Sequence, residues 1–229
     1  MQPIVAVVGG TGAEGSGFVL RFAKAGVLER IGSRNLDKAQ AEAREIAARV
    51  GKVEVTGHTN PDAVGKAAIV ILTVPLSAQV GTLKSIRGCV APGAILVDTT
   101  VPLEIAIGGR LSRTVSLWDG SAAQQAVRLA PPGMPVVAAF HSLSAEALAT
   151  LDEPVDCDTL ICGDDAEAEA AVSELAKTIP GVRAIDAGPI DNARFLESSA
   201  ALLIALNLRH KLKHCGIRIT GLALRKARQ

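Results

Sequence analysis

The sequence predicts an α/β protein built on a doubly wound parallel sheet with a small C-terminal α/β part. Three observations carry that expectation. Short β-branched and apolar runs, of the length of buried strands, recur along the chain. Stretches with 3.6-residue apolar spacing separate several of them. A glycine-rich turn, Gly9 to Gly15, joins the first such strand to the first helix. Strands that alternate with helices pair in parallel, because each helix carries the chain back to the edge where the next strand starts.

Residues 4–8 (IVAVV) read as a buried strand that ends in glycines. In residues 15–25, Phe18, Phe22 and Ala25 fall at i, i+4 and i+7, and Gly26 stops that helix. Residues 27–32 form a second strand that carries Glu29 and Arg30. Asn35 then caps a helix whose Leu36, Ala39, Ala43, Ile46, Ala47 and Val50 keep the helical period. Residues 53–56 alternate as a short strand, and residues 68–74, 94–98 and 135–140 complete a set of six.

Past residue 145 the composition changes. Residues 151–170 hold eight acids and no base, whereas residues 209–229 hold seven bases and no acid. Between them the pattern predicts a strand near 159–162, a helix over 165–178 and a strand over 182–186. Asp164 and Glu167 have the spacing of a capping box for that helix. A long helix over 191–213 follows. Its ALLIALNL segment is apolar on nearly all sides, as in a core or subunit-interface helix. The chain thus divides into residues 1–145 and residues 146–229. Residues 224–229 are expected to fray.

Composition excludes several classes of function. With 229 residues and 48% hydrophobic residues, the chain buries a core that needs no staples. A net charge of +1 and 2% aromatic residues leave no basic field and no stacking platform for nucleic acid. Cys89, Cys157, Cys162 and Cys215 do not read as a disulfide framework in a chain this long. The longest purely apolar stretch near the C-terminus, residues 200–206, is far short of the roughly 20 residues that span a bilayer. A cytoplasmic protein without membrane contact is the expectation. His210 and His214 stand at i, i+4, but the glutamate of a zinc motif is missing and Lys211 and Lys213 flank them, so no metal is expected.

Gly10-Thr11-Gly12-Ala13-Glu14-Gly15 is G-x-G-x-x-G, directly after a strand and at the opening of an amphipathic helix. In that context Gly10 serves the tight turn and Gly12 the approach of a pyrophosphate, while Gly15 serves close helix–strand packing. The helix N-terminus then faces the phosphates. This is the signature of a Rossmann-type domain. A glycine-rich turn without ligand is the alternative. Where an NAD protein carries Asp or Glu at the end of the second strand, this chain has Gly32-Ser33-Arg34, with Lys38 one helical turn on. A hydroxyl and two cations suit a 2′-phosphate, so the reading is NADP rather than NAD. Solvated surface charges are the alternative for Arg34 and Lys38.

The GGTGxxG loop, GSR with its following lysine, LTVP (residues 72–75) and the His141 segment AAFHSLSA form one combination with ICGDD and DAGPIDNARFLES. It resembles the NADPH-dependent reductases of the 8-hydroxy-5-deazaflavin coenzyme F-420, and the resemblance extends to about residue 217. It implies an NADP-binding Rossmann domain over 1–145 and a small C-terminal domain over 146–229. It also implies NADP(H), the deazaflavin as second substrate in the cleft between them, and a homodimer.

Such a reaction asks little acid–base chemistry of the protein, which holds two planar rings in contact and excludes water. Thr73, Val74 and Pro75 end a strand at the carboxyl edge of the sheet, where ligands bind in this fold; a strand terminator is the other reading of Pro75. Residues 98–102 end the next strand at the same edge, as a ligand wall or a capped turn. His141 ends the sixth strand and is the candidate positioning residue for the deazaflavin; a structurally satisfied histidine is the other reading. The basic segment from Arg209 onward either steers an anionic coenzyme or pairs with the acidic 151–170 segment. Two alternatives to the reductase reading remain at this point: an NADP-dependent reductase of a small imine or hydroxy acid, and a non-enzymatic NADP(H) sensor.

Overall fold

The computed structural model describes residues 3–51 and 54–222. The chain runs β1 (Ile4–Val8), α1 (Ala13–Lys24), β2 (Leu28–Ser33), α2 (Leu36–Val50), β3 (Val55–Thr59), α3 (Asn60–Val64), β4 (Ile69–Leu72) and α4 (Leu76–Ile86). It continues with β5 (Ile95–Asp98), α5 (Ala122–Leu129), β6 (Val136–Ala138), α6 (Ala145–Ala149), β7 (Cys157–Gly163), α7 (Ala166–Lys177), β8 (Val182–Asp186) and α8 (Ala193–His210).

All eight strands join one sheet in the order β3-β2-β1-β4-β5-β6-β7-β8. The first six are parallel, β7 runs antiparallel to β6, and β8 is again parallel to β7. The order reverses at β1, with β2 on one side and β4 on the other. Such a switch point opens a crevice at the carboxyl ends of the strands.

Each face of the sheet carries its own core. One face packs Val5, Val7 and Ile31 against α1, α2 and α7. Its centre is an aromatic trio: the Phe18 ring lies 5.9 Å from that of Phe22 and 5.1 Å from that of Phe140. The other face packs Ala6, Val8, Val70 and Leu96 against Val64, Leu83, Ile86 and Ala126. Buried Arg21 donates to the carbonyls of Ala147, Leu148 and Thr150, which staples α1 to α6. No described helix is long and apolar enough to cross a membrane.

Several boundaries differ from the sequence pattern, each for a local reason. The third strand begins at Val55 and continues through Gly57 to Thr59, in register with β2 from Glu29 to Ser33. Gly57 does not end it, because β3 lies so close to α2 that a Cβ there would stand 2.3 Å from backbone atoms of Ala39 and Gln40. The cap of α7 is Asp165, which accepts from the Ala168 N–H, and Asp164 instead accepts from Ile190 N–H across the sheet edge. The last helix is shorter than the pattern, because a 3-10 turn over Ile190–Asn192 precedes it and Lys211, at φ 53°, ends it.

Beyond α8 the chain lies along β7. Asp158 N–H donates to Ile217 O at 2.7 Å, and Ile219 N–H donates to the Asp158 carboxylate at 2.7 Å. Arg183 and Arg218 bracket the same fully buried carboxylate. Burial alone would raise the Asp158 pKa, but Arg183, the Ile219 N–H and Arg218 hold it down at about 2. Arg218 also pairs with Asp156, and Lys213 lies 3.5 Å from Glu146. For Arg218, pairing with the acidic segment is therefore the structural outcome. Arg225, Lys226, Arg228 and the expected frayed end lie outside the described residues.

Candidate functional site

The glycine loop shows three different demands on three glycines. A Cβ on Gly10 would come within 2.8 Å of Val7 O, and one on Gly15 would stand 2.6 Å from Thr73 Oγ1 and 2.7 Å from the Gly10 Cα. Those two glycines serve the turn and the contact between α1 and the sheet. At Gly12 the nearest atom is Gly9 O at 3.4 Å, so the space beside that Cα is open. Gly12 is also the N-cap of α1 and offers no side chain to its first-turn N–H groups. Donors aimed at open space at a positive helix end fit a pyrophosphate.

Gly9 and Gly10 N–H groups both donate to Gly32 O, at 3.0 and 3.1 Å, which ties the loop to the end of β2. Thr11 Oγ1 lies 3.5 Å from Ser33 Oγ across that junction. Ser33 is buried and accepts from the Asn35 N–H, while Arg34 and Lys38 are exposed at the head of α2. Among the described residues, neither cation has a carboxylate partner.

From Gly12, Ala13 and Glu14 a cavity of about 660 Å³ extends across the carboxyl edge of the sheet. Thr73, Val74 and Pro75 line it after β4, Thr99 to Val101 after β5, and His141 to Ala145 after β6. Thr73 and Thr99 hydroxyls donate to Val8 O and Leu72 O, which fixes those wall segments to neighbouring strands. His141 is 8% exposed, and neither ring nitrogen has a hydrogen-bond partner among the described residues. Burial pushes its pKa down to about 4 against a smaller opposing effect of the Thr100 backbone, so the imidazole is neutral at pH 7.

Behind this wall lies a group of buried acids. Asp98 Oδ1 accepts from Gln79 at 3.1 Å and Thr100 at 2.8 Å, while its Oδ2 has no partner among the described residues. Glu197 reaches from α8 to accept from the N–H groups of Ala122 and Ala123 at the start of α5. Burial pushes Asp98 up to about 7 against its hydrogen bonds from Thr100 and Gln79. Burial likewise pushes Glu197 up to about 8 against the two N–H groups, with the Asp98 charge adding to the rise.

The structure thus gathers Gly12, Ala13, Glu14, Thr73, Val74, Pro75 and His141 around one cavity. It keeps Ser33, Arg34 and Lys38 at a separate end of the same sheet edge. Sequence reasoning missed part of the wall. Ala200, Leu203, Ile204 and Asn207 of α8 line the cavity, so one face of that helix forms a wall of the site. Asn207 was the available signal, a lone amide in an apolar run, and its Oδ1 has no partner among the described residues.

A family model described as NADP oxidoreductase, coenzyme F-420-dependent, matches residues 4–102. The F-420-dependent NADP reductase of Methanothermobacter thermautotrophicus is 48% identical over 221 residues, covering 95% of this chain and 95% of that protein. The chain belongs to the F-420-dependent NADP reductase family. A further member, from Methanocaldococcus jannaschii, is 40% identical and covers 96% of this chain and 99% of its own length.

Two solved structures share the reductase fold at lower identity. One, from Arthrobacter sp. FB24, is described among F-420-dependent NADP reductases and aligns with a TM-score of 0.78 at 22% identity. It covers 96% of this chain and 99% of its own. An NADPH-bound reductive aminase of Aspergillus terreus aligns with a TM-score of 0.62 at 17% identity, over 92% of this chain and 64% of that one. At these identities the two establish the Rossmann-type architecture alone.

Proposed function

We propose that this protein transfers a hydride between NADP(H) and the deazaflavin coenzyme F-420. NADPH supplies the hydride from C4 of its nicotinamide, and the deazaflavin takes it at C5. The observation that carries the reading is one cavity that starts at the open Gly12 loop and ends at a buried His141 whose ring nitrogens have no hydrogen-bond partner among the described residues. One end suits a pyrophosphate and the other a planar ring with polar edges.

In this reading Gly10, Thr11, Gly12, Ala13, Glu14 and Gly15 form the dinucleotide loop, and Ser33, Arg34 and Lys38 hold the 2′-phosphate by charge-assisted hydrogen bonds. Thr73, Val74 and Pro75 support the nicotinamide. His141, neutral at pH 7, orients the deazaflavin through a ring nitrogen, and Asn207 offers a second polar contact. The apolar face of α8 excludes water from between the rings.

The division into an NADP-binding part over 1–145 and a small C-terminal part over 146–229 is supported by the reversal of strand direction between β6 and β7. A cytoplasmic homodimer completes the proposal. Exposed Phe195, Leu202 and Leu208 on the outer side of α8 support a second copy there.

Anaerobic mixing of NADPH with the oxidised deazaflavin tests the reaction. The visible band of the deazaflavin is expected to bleach mole for mole with NADPH oxidation, and far more slowly with NADH. Binding of NADPH without bleaching overturns the proposal in favour of a sensor.

A further inference from the structure

We propose that Thr159 of β7 is a positioning residue for the hydride transfer: it holds Phe140 in a left-handed turn, and that turn sets His141 in the cavity. The inference rests on the hydride-transfer reading above. It starts from His141 itself. Neither ring nitrogen has a hydrogen-bond partner among the described residues, so no side-chain bond aims the imidazole at the site. Its place is set by the backbone that carries it and by the groups that hold that backbone.

That backbone is strained directly before the histidine. Among the described residues, Phe140 and Lys211 are the two non-glycine residues with a positive φ. Lys211 is the exposed end of α8, where a left-handed residue is an ordinary helix stop. Phe140 is fully buried, has φ 71° and ends no helix. A bulky side chain takes this conformation only where its surroundings impose it. The consequence shows in the sheet. β6 pairs with β7 as far as Ala138 opposite Cys162, and past that pair the ladder stops. The chain turns at Phe140, with Leu143 N–H donating back to Phe140 O at 3.0 Å, and His141 to Ala145 line the cavity.

β7 supplies the grip on this turn. Phe140 N–H donates to the Thr159 hydroxyl at 2.9 Å, and Thr159 is completely buried. Without that oxygen a buried N–H in an already strained residue loses its acceptor. Ser142 Oγ donates to Asp158 O at 2.6 Å, and the Cys157 thiol lies 3.5 Å from Ser142 O. Three consecutive residues of β7 thus hold both neighbours of His141. From the other side, Phe18 and Phe22 of α1 pack on the Phe140 ring at 5.1 and 6.4 Å. Of these contacts, the Thr159 bond acts on the backbone of the strained residue itself. Thr159 does not line the cavity, so its loss leaves the chemistry of the wall unchanged. What it moves is the histidine, and a misplacement of about 1 Å is enough to cost about 100-fold in rate.

The test compares the same substitution with and without the histidine. Thr159→Val keeps the shape of the side chain and removes the acceptor, whereas Thr159→Ser keeps the acceptor. With both coenzymes saturating, Thr159→Val is expected to slow single-turnover bleaching of the deazaflavin by NADPH about tenfold or more, with an NADPH Kd within about twofold of wild type. Thr159→Ser is expected to keep about half of the wild-type rate or more. In a His141→Ala background, Thr159→Val is expected to change the rate by less than about twofold, because the threonine acts through the histidine. Should the valine variant fold poorly, Thr159→Cys carries the same comparison, since its sulfur accepts weakly, with an expected loss of about threefold or more. A wild-type rate in the folded variant overturns the proposal. So does an equal loss with and without His141, which marks a merely structural threonine. No bleaching by the wild-type protein, or a wild-type rate in His141→Ala alone, overturns the reading of the site itself, and this proposal with it.

Discussion

Arg34 and Lys38 stand in solvent at the head of α2, whereas Asp98, His141 and Glu197 are sealed at the other end of the same sheet edge. The first pair of cations keeps its hydration until an anion arrives. A phosphate dianion is then bound by charge-assisted hydrogen bonds with little cost of prior burial. The second group is desolvated in advance, and its pKa values are displaced by that burial. Low dielectric strengthens each remaining polar contact and keeps water from the reacting atoms. Under the proposed function the difference is a division of labour: the open end selects the nucleotide and the sealed end conducts the transfer.

The largest effect is expected where the two ends meet. A Cβ added at Gly12 meets only Gly9 O, at 3.4 Å, so Gly12→Val is expected to fill the open space beside the Cα and keep the fold. NADPH binding falls more than 100-fold, read by fluorescence titration, with the thermal midpoint nearly unchanged. A folded variant with wild-type affinity would break the comparison at its hinge.

Arg34→Ala is expected to cost about 1.5–3 kcal/mol of NADPH affinity, or one to two decades, and to leave NADH almost untouched. Equal losses for both nucleotides would move the 2′-phosphate site elsewhere.

The smallest effect concerns stability at the sealed end. A carboxyl whose folded pKa lies above its unfolded value binds more protons in the native state, so stability falls as pH rises between the two. For Asp98 that window runs from 3.8 to about 7. Asp98→Asn removes this slope and is expected to gain more than about 1 kcal/mol relative to wild type between pH 5 and pH 8 in urea melts. A constant offset at all pH values would mean that Asp98 is ionised throughout.

The two ends also differ in how far the sequence reveals them. The strand–glycine loop–helix and the Gly32-Ser33-Arg34 end of β2 are local, because one turn and one strand end bring all their parts together. The parallel direction of β1 to β6 was legible from strands alternating with helices, although the long connection between β5 and β6 is no local unit. Asp98, Gln79, Ala122 and Glu197 meet only through the fold, across as many as 118 residues of chain from Gln79 to Glu197. No spacing announces such a cluster. The antiparallel entry of β7 and the cavity face of α8 were hidden likewise, because an apolar helix looks the same whether it faces a core, a partner or a ligand.

One variant tests the division of labour most directly. In His141→Ala the NADPH Kd and the single-turnover rate of deazaflavin bleaching are measured on the same preparation. The account predicts an NADPH Kd within about twofold of wild type and a bleaching rate at least tenfold lower, consistent with loss of a group worth about 1.4 kcal/mol or more in the transfer step. An unchanged bleaching rate, or a loss of NADPH affinity that accounts for the whole effect, would contradict it.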